Sequence, residues 1–132
     1  SQFGIRNVSS SNRQDHDDAR AAGSTILSVR QVRALGREGV LAKIPDGARY
    51  YVTIDIDGFD PSIAPGTGTP SHGGFLYYEV LEIMQGLASK GDVVGIDLVE
   101  VAPPYDPSGI TSILAAQLLM NMIGFVFKAR EG

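Results

Sequence analysis

RYYVTIDIDGFDP, residues 49–61, decides the fold. Its first half is β-branched and aromatic and lies between Gly47 and Gly58, which predicts a strand over Arg49–Ile56. Side chains at i and i+2 of a strand share a face, so Asp55 and Asp57 are expected to project together at the C-terminal end of that strand. Open α/β sheets place their ligands at that end. Two neighbouring carboxylates repel each other, and the repulsion is relieved by a proton or by a cation held between them. Hard divalent ions with oxygen ligands meet that need. The same pattern also suits a polar strand end whose aspartates cap a turn. An EF-hand is excluded by spacing: counted from Asp55, the sixth position is Asp60 rather than Gly and the twelfth is Gly66 rather than Glu.

Outward from this stretch, strands and helices alternate. Gln2–Arg6 and Thr25–Val29 read as short strands, with a polar, cap-forming loop at Ser9–Asn12 and a short helix over Arg13–Ala22 between them. Val32, Leu35 and Val40 predict a helix over Val29–Lys43, weakened by Gly36 and Gly39. Pro45-Asp46-Gly47 forms a turn. After residue 58, a Pro-, Gly-, Ser- and Thr-rich loop spans Phe59–Gly74 and a helix spans Leu76–Lys90. Asp92–Val101 is a second apolar strand, closed by Pro103-Pro104, and an apolar helix follows from Gly109. Near-continuous apolar strands separated by helices imply an α/β fold, a three-layer α-β-α arrangement with a mainly parallel sheet. At 132 residues the chain is expected to form one domain.

Composition narrows the classes. A hydrophobic fraction of 43% with 20% charged residues is that of a folded globular chain. The net charge of −4 and the lack of a basic patch argue against a nucleic-acid partner. With no cysteine there is no disulfide framework or thiolate metal site, which fits a cytoplasmic setting. The first residue is Ser1, which suggests processing or a fragment. The uncharged run from Gly109 to Phe127 has the length of a bilayer span, but Thr111, Ser112, Gln117 and Asn121 interrupt it. Gln117 and Asn121 share one helix face, so the expectation is a helix packed within a protein or at a subunit interface and no membrane association.

The loop after the aspartates carries more. A long ordered loop inside a compact domain is usually functional. Ala64-Pro65-Gly66-Thr67-Gly68-Thr69-Pro70, then Gly73-Gly74, lacks the Lys-Ser/Thr ending of a phosphate loop and the helix start of a dinucleotide fingerprint. Read as one ordered motif, TIDIDGFDPSIAPGTGTP with Gly73-Gly74 resembles the ureohydrolases, the arginase and agmatinase family. Gly95-Ile96-Asp97-Leu98-Val99-Glu100-Val101-Ala102-Pro103 is similar to the family's second C-terminal motif, and Gln2-Phe3-Gly4-Ile5-Arg6 to the strand that precedes it. The PGTGTP form looks more like the agmatinase branch than arginase proper.

The resemblance implies a partial arginase-like fold and hydrolysis of a guanidino compound, agmatine or a guanidino acid, to urea and an amine at a binuclear manganese (Mn2+) centre. It implies Asp55 and Asp57 as metal ligands and Glu100 as the catalytic carboxylate that holds the guanidinium, for which its charge and two oxygens suit it. It also implies Thr69 near the substrate, Asp97 as support for the ligands, and a homo-oligomer, trimer or hexamer. His72, in the variable pair of the substrate loop between Pro70 and Gly73, is a candidate substrate contact, with a subunit contact or a solvent-facing position as the alternatives and solvent the favoured one. His16, in a charged run, reads as a residue of a solvated helix face. The family's remaining ligands, an upstream histidine and a D-A-H-x-D motif, have no counterpart here, which leaves two of six. On that basis the isolated chain is expected to be inactive, and to be the C-terminal half of an enzyme, one of two chains that share a site, or a degenerate relative. A truncated non-catalytic subunit or a bare metal-binding module are the rival readings.

Overall fold

The computed structural model describes residues 1–6 and 11–131. The expected α/β class is what it shows. Strand β1 (Gln2–Ile5) is followed by α1 (Arg13–Ala21), β2 (Ile26–Ser28), α2 (Val29–Leu41), β3 (Arg49–Asp55), α3 (Tyr77–Lys90), β4 (Asp92–Val99) and α4 (Ile110–Glu131). Residues 9 and 10 of the expected polar loop lie outside the described part. Every strand pairing among the described residues is parallel, but the strands form two pairs, β1–β2 and β3–β4, rather than one continuous sheet.

Alternation along β3 explains its role. Tyr50 and Ile54 are buried, while Tyr51, Thr53 and Asp55 are exposed. The buried face packs on α3 and α4 through a core that includes Ile56, Phe59, Met84, Leu87, Val93, Leu118 and Met122. The open face carries Tyr51, Thr53 and Asp55, paired in register with Gly95, Asp97 and Val99. That face therefore looks away from the core.

Boundaries differ from expectation where backbone geometry intervenes. β3 ends at Asp55, and Ile56–Gly58 forms a 3₁₀ turn. β4 ends at Val99 rather than Val101, because Glu100 adopts a left-handed backbone with φ of 66°. α2 is broken at Gly36, which sits at φ 65° and ψ 175°. The structure thus turns the weakened helix expected there into two segments. α4 is long and apolar enough to cross a membrane by length and composition. Here it packs on α3 and β4, burying Leu114, Ala115, Leu118 and Met122. Its polar face is used in that packing: Asn121 Nδ2 donates to the Tyr77 hydroxyl of α3 at 3.1 Å.

Candidate active site

The site lies where β3 and β4 end. Asp55 closes β3, and its Oδ1 accepts a hydrogen bond of 3.0 Å from the Asp57 amide, which bends the chain into the 3₁₀ turn. Strand alternation therefore does not bring the two carboxylates together. The turn does, and the capping and ligand readings of these aspartates coexist. Although Asp55 as a residue is exposed, its pKa is raised. Desolvation of the carboxyl is the leading cause, the Asp57 amide opposes it, and the negative charges of Asp57 and Glu100 add to it. Asp55 thus feels two acidic neighbours at the ends of two strands.

Asp57 is held from the other side as well. Thr69 Oγ donates 2.8 Å to Asp57 Oδ2, so the rim loop reaches back onto the carboxylate. The loop is closed at its neck. Asp60 N–H donates to the Phe75 carbonyl at 2.9 Å and Phe75 N–H to the Gly58 carbonyl at 3.0 Å. Asp60 Oδ1 accepts from Ser62 N–H at 3.0 Å and Oδ2 from Gly73 N–H at 2.8 Å. The Ser62 side chain first, then the Ser62 and Gly73 amides, hold its pKa at about 2. At Gly74 a Cβ would lie 2.4 Å from the Phe59 carbonyl carbon and 2.5 Å from the Asp60 nitrogen, so only glycine lets the two arms of the neck touch.

Further along the loop, Gly66 N–H donates to Thr111 Oγ1 at 2.8 Å, and the Gly66 carbonyl accepts from Ala102 N–H at 2.7 Å. These two bonds lay the loop against the segment just after Glu100 and against the start of α4. Asp106 completes the corner by accepting from Thr111 N–H at 2.7 Å and from the Ser108 hydroxyl. Glu100 is the one described non-glycine residue at positive φ, a conformation that costs on the order of 1–2 kcal/mol and is found where surrounding structure enforces it.

The other candidates fall as follows. Asp97 stands opposite Thr53 on the open face. Its carboxylate is the leading cause of the raised Tyr51 pKa. Its Oδ1 is buried without a hydrogen-bond partner among the described residues, an acceptor still in want of a donor. His72 is exposed at the loop tip. No described hydrogen bond joins its ring to Asp55, Asp57 or Glu100. His16 is half-buried on α1, a helix with no fully buried residue. Hard oxygen donors suit a divalent cation. Among the described residues, no group of three or more His, Cys, Asp or Glu is placed to enclose one, so Asp55 and Asp57 can form only part of a coordination shell.

Two residues of this site were not singled out by the sequence. Arg6 donates to backbone carbonyls on both arms of the neck, at Phe59 and Ser71. Asp60 ties the loop ends. Fifty or more residues separate Arg6 from its partners, so no local pattern announces it, whereas Asp60 before Pro61-Ser62 carries the mark of an Asx turn.

The model of the family described as Arginase matches residues 1–124. The chain belongs to the arginase family. A guanidinobutyrase of Pseudomonas aeruginosa is 39% identical over 113 residues, 83% of this chain and 35% of that protein. An agmatinase of Edwardsiella ictaluri is 43% identical over 125 residues, 92% of this chain and 38% of its own length. Among solved structures, the proclavaminate amidino hydrolase of Streptomyces clavuligerus superposes with a TM-score of 0.84 at 36% identity, over 97% of this chain and 42% of that one. The arginase-like fold is thereby established, and the family resemblance of the two C-terminal motifs is borne out. The chain spans well under half the length of these arginase-family relatives.

Proposed function

We propose that this segment works within a complete polypeptide that hydrolyses a guanidino compound, agmatine or a guanidino acid, to urea and an amine, with water as co-substrate. The observation that carries the reading is that Asp55, where β3 ends, lies within electrostatic reach of both Asp57 and Glu100, the residue just past β4. Asp55 and Asp57 would hold part of a manganese centre, with the remaining ligands supplied from outside the described residues. When bound, divalent manganese supplies the Lewis acidity that activates water for hydrolysis.

The chain's own residues do the rest of the work proposed here. Glu100 binds the guanidinium as a charge-matched two-oxygen acceptor and sets the plane of the substrate. Its left-handed backbone aims the carboxylate from a fixed base instead of a flexible one. Thr69 restrains the Asp57 carboxylate so that its second oxygen keeps one direction. The Gly66 bonds to Ala102 and Thr111 keep the loop against the Glu100 segment and limit water entry. Asp97, with its unsatisfied oxygen, is a supporting acceptor for a donor on the open face. His72, exposed at the loop tip, would meet the substrate tail in this reading.

A homo-oligomer, trimer or hexamer, in the cytoplasm is part of this reading. It is supported by the cysteine-free sequence and by the exposed apolar residues Ile113, Met120, Ile123 and Phe127 on α4. The test is urea release by the full-length polypeptide that contains this segment, with manganese, from agmatine, guanidinobutyrate, guanidinopropionate and arginine. Release from at least one is expected, and none from any would remove the assignment.

A further inference from the structure

We propose that Arg6 is a positioning residue for Asp57 and for the rim loop above it. The proposal rests on the metal-binding reading of Asp55 and Asp57 and adds a group that this reading does not contain.

Arg6 follows β1, in the strand pair that does not include β3. Its Nη2 donates to the carbonyls of Asp57, Phe59 (3.2 Å) and Ser71 (2.7 Å), and its Nε donates to Ser71 again at 3.1 Å. Nη1 reaches back to the Gly4 carbonyl at 3.4 Å. The first two acceptors stand where the loop begins and Ser71 stands near its end, so one guanidinium bridges both arms of the neck. Three carbonyl dipoles converge on Nη2, while Nε and Nη1 fix the guanidinium plane through Ser71 and Gly4, a hold that the single nitrogen of a lysine does not reproduce.

The consequence falls on one residue. Asp57 is restrained at each of its polar groups: its N–H by Asp55 Oδ1, its Oδ2 by Thr69 and its carbonyl by Arg6. The first two restraints come from the site itself. Arg6 is the third, and it ties the direction of the carboxylate to the neighbouring strand pair. The loop retains other anchors at Gly66, Gly73 and Phe75, so losing Arg6 should loosen Asp57 without unfolding the chain. A supporting residue that aims a metal ligand typically changes metal affinity by about 10–100-fold.

The test is manganese binding, followed by the electron paramagnetic resonance of free Mn2+, in the full-length polypeptide and in Arg6→Lys, Leu118→Ala and Asp57→Asn. Lysine keeps the charge but not the fork. Leu118 is fully buried in α4, and its truncation lowers stability without touching the site. Arg6→Lys should bind manganese about tenfold more weakly or worse. The metal-free melting temperature of Arg6→Lys should fall no further than that of Leu118→Ala, which should keep the parent's affinity. Parental affinity in Arg6→Lys, with Asp57→Asn impaired, would overturn the role of Arg6 alone. Equal loss of affinity in Leu118→Ala would also overturn it, by showing that general destabilisation suffices. Parental affinity in Asp57→Asn would overturn both this proposal and the reading beneath it.

Discussion

The Thr69 hydroxyl donates a 2.8 Å hydrogen bond to Asp57 Oδ2, twelve positions earlier in the chain. A rim residue and a strand-end carboxylate thereby form one unit. Thr69→Val removes the hydroxyl and keeps the shape. Thr69 is exposed, so stability should fall by no more than about 1 kcal/mol. The bond to a charged acceptor is worth about 1 kcal/mol at such a site, and manganese affinity of the full-length polypeptide should fall roughly fivefold. Titration of manganese into the variant checks this; unchanged affinity would show that Asp57 does not depend on the rim.

Glu100 separates function from stability. Replacing it with glycine removes both the carboxylate and the Cβ that makes φ of 66° unfavourable. Glu100→Gly should be as stable as the parent or gain up to about 1 kcal/mol. Glu100→Gln keeps the strained backbone and loses the charge. Both variants should lose urea release by about 30-fold or more in kcat/KM, since breaking a close charge pair costs at least about 2 kcal/mol. Thermal unfolding and initial rates, measured side by side, make the comparison.

The neck of the loop admits no side chain at residue 74. Gly74→Ala places a Cβ 2.4 Å from backbone atoms of Phe59, which cannot move without breaking the paired bonds of Asp60 and Phe75. A loss of about 2–3 kcal/mol is expected in denaturant unfolding. Gly68→Ala, in the same loop but with open space where its Cβ would stand, should cost far less. Equal losses at the two positions would contradict the close approach of the two arms.

Acid sensitivity follows from Asp106 and Asp60, whose pKa values are held at about 2. For Asp106 the Ser108 hydroxyl is the leading cause, followed by the Thr111 amide; for Asp60 it is Ser62. A folded-state pKa below the unfolded value of 3.8 means that the folded form binds protons less readily. The stabilisation is therefore complete above about pH 4 and is lost as pH falls through about 2. Asp106→Asn should flatten this part of the stability curve, and Ser108→Ala should raise the Asp106 pKa when followed by carboxyl carbon NMR.

Much of this was legible in the sequence, and the gaps have physical causes. The β-branched run Arg49–Asp55 and the alternation of apolar segments were enough for an α/β fold, because hydrophobic period and turn residues agree there. The pairing of Asp55 with Asp57 was legible too, though by a different geometry: a capped turn replaces strand alternation, and i to i+2 bonding in a short Asp-rich turn leaves the same pattern as a strand. Strand β4 was read two residues too long because nothing local marks Glu100 for a left-handed backbone. The split into two strand pairs depends on long-range pairing, to which periodicity is blind. Arg6 was invisible as part of the site for the same reason: its partners Asp57 and Ser71 stand 51 and 65 residues away.

The central claim is that Asp55 and Asp57 grip the cation on which guanidine hydrolysis depends. The most direct measurement is the manganese content and urea release of the full-length polypeptide beside its Asp55→Asn/Asp57→Asn double variant. The account predicts a folded double variant that has lost both bound manganese and urea production, with the parent holding both. A double variant that retains the parent's manganese and its rate would contradict it.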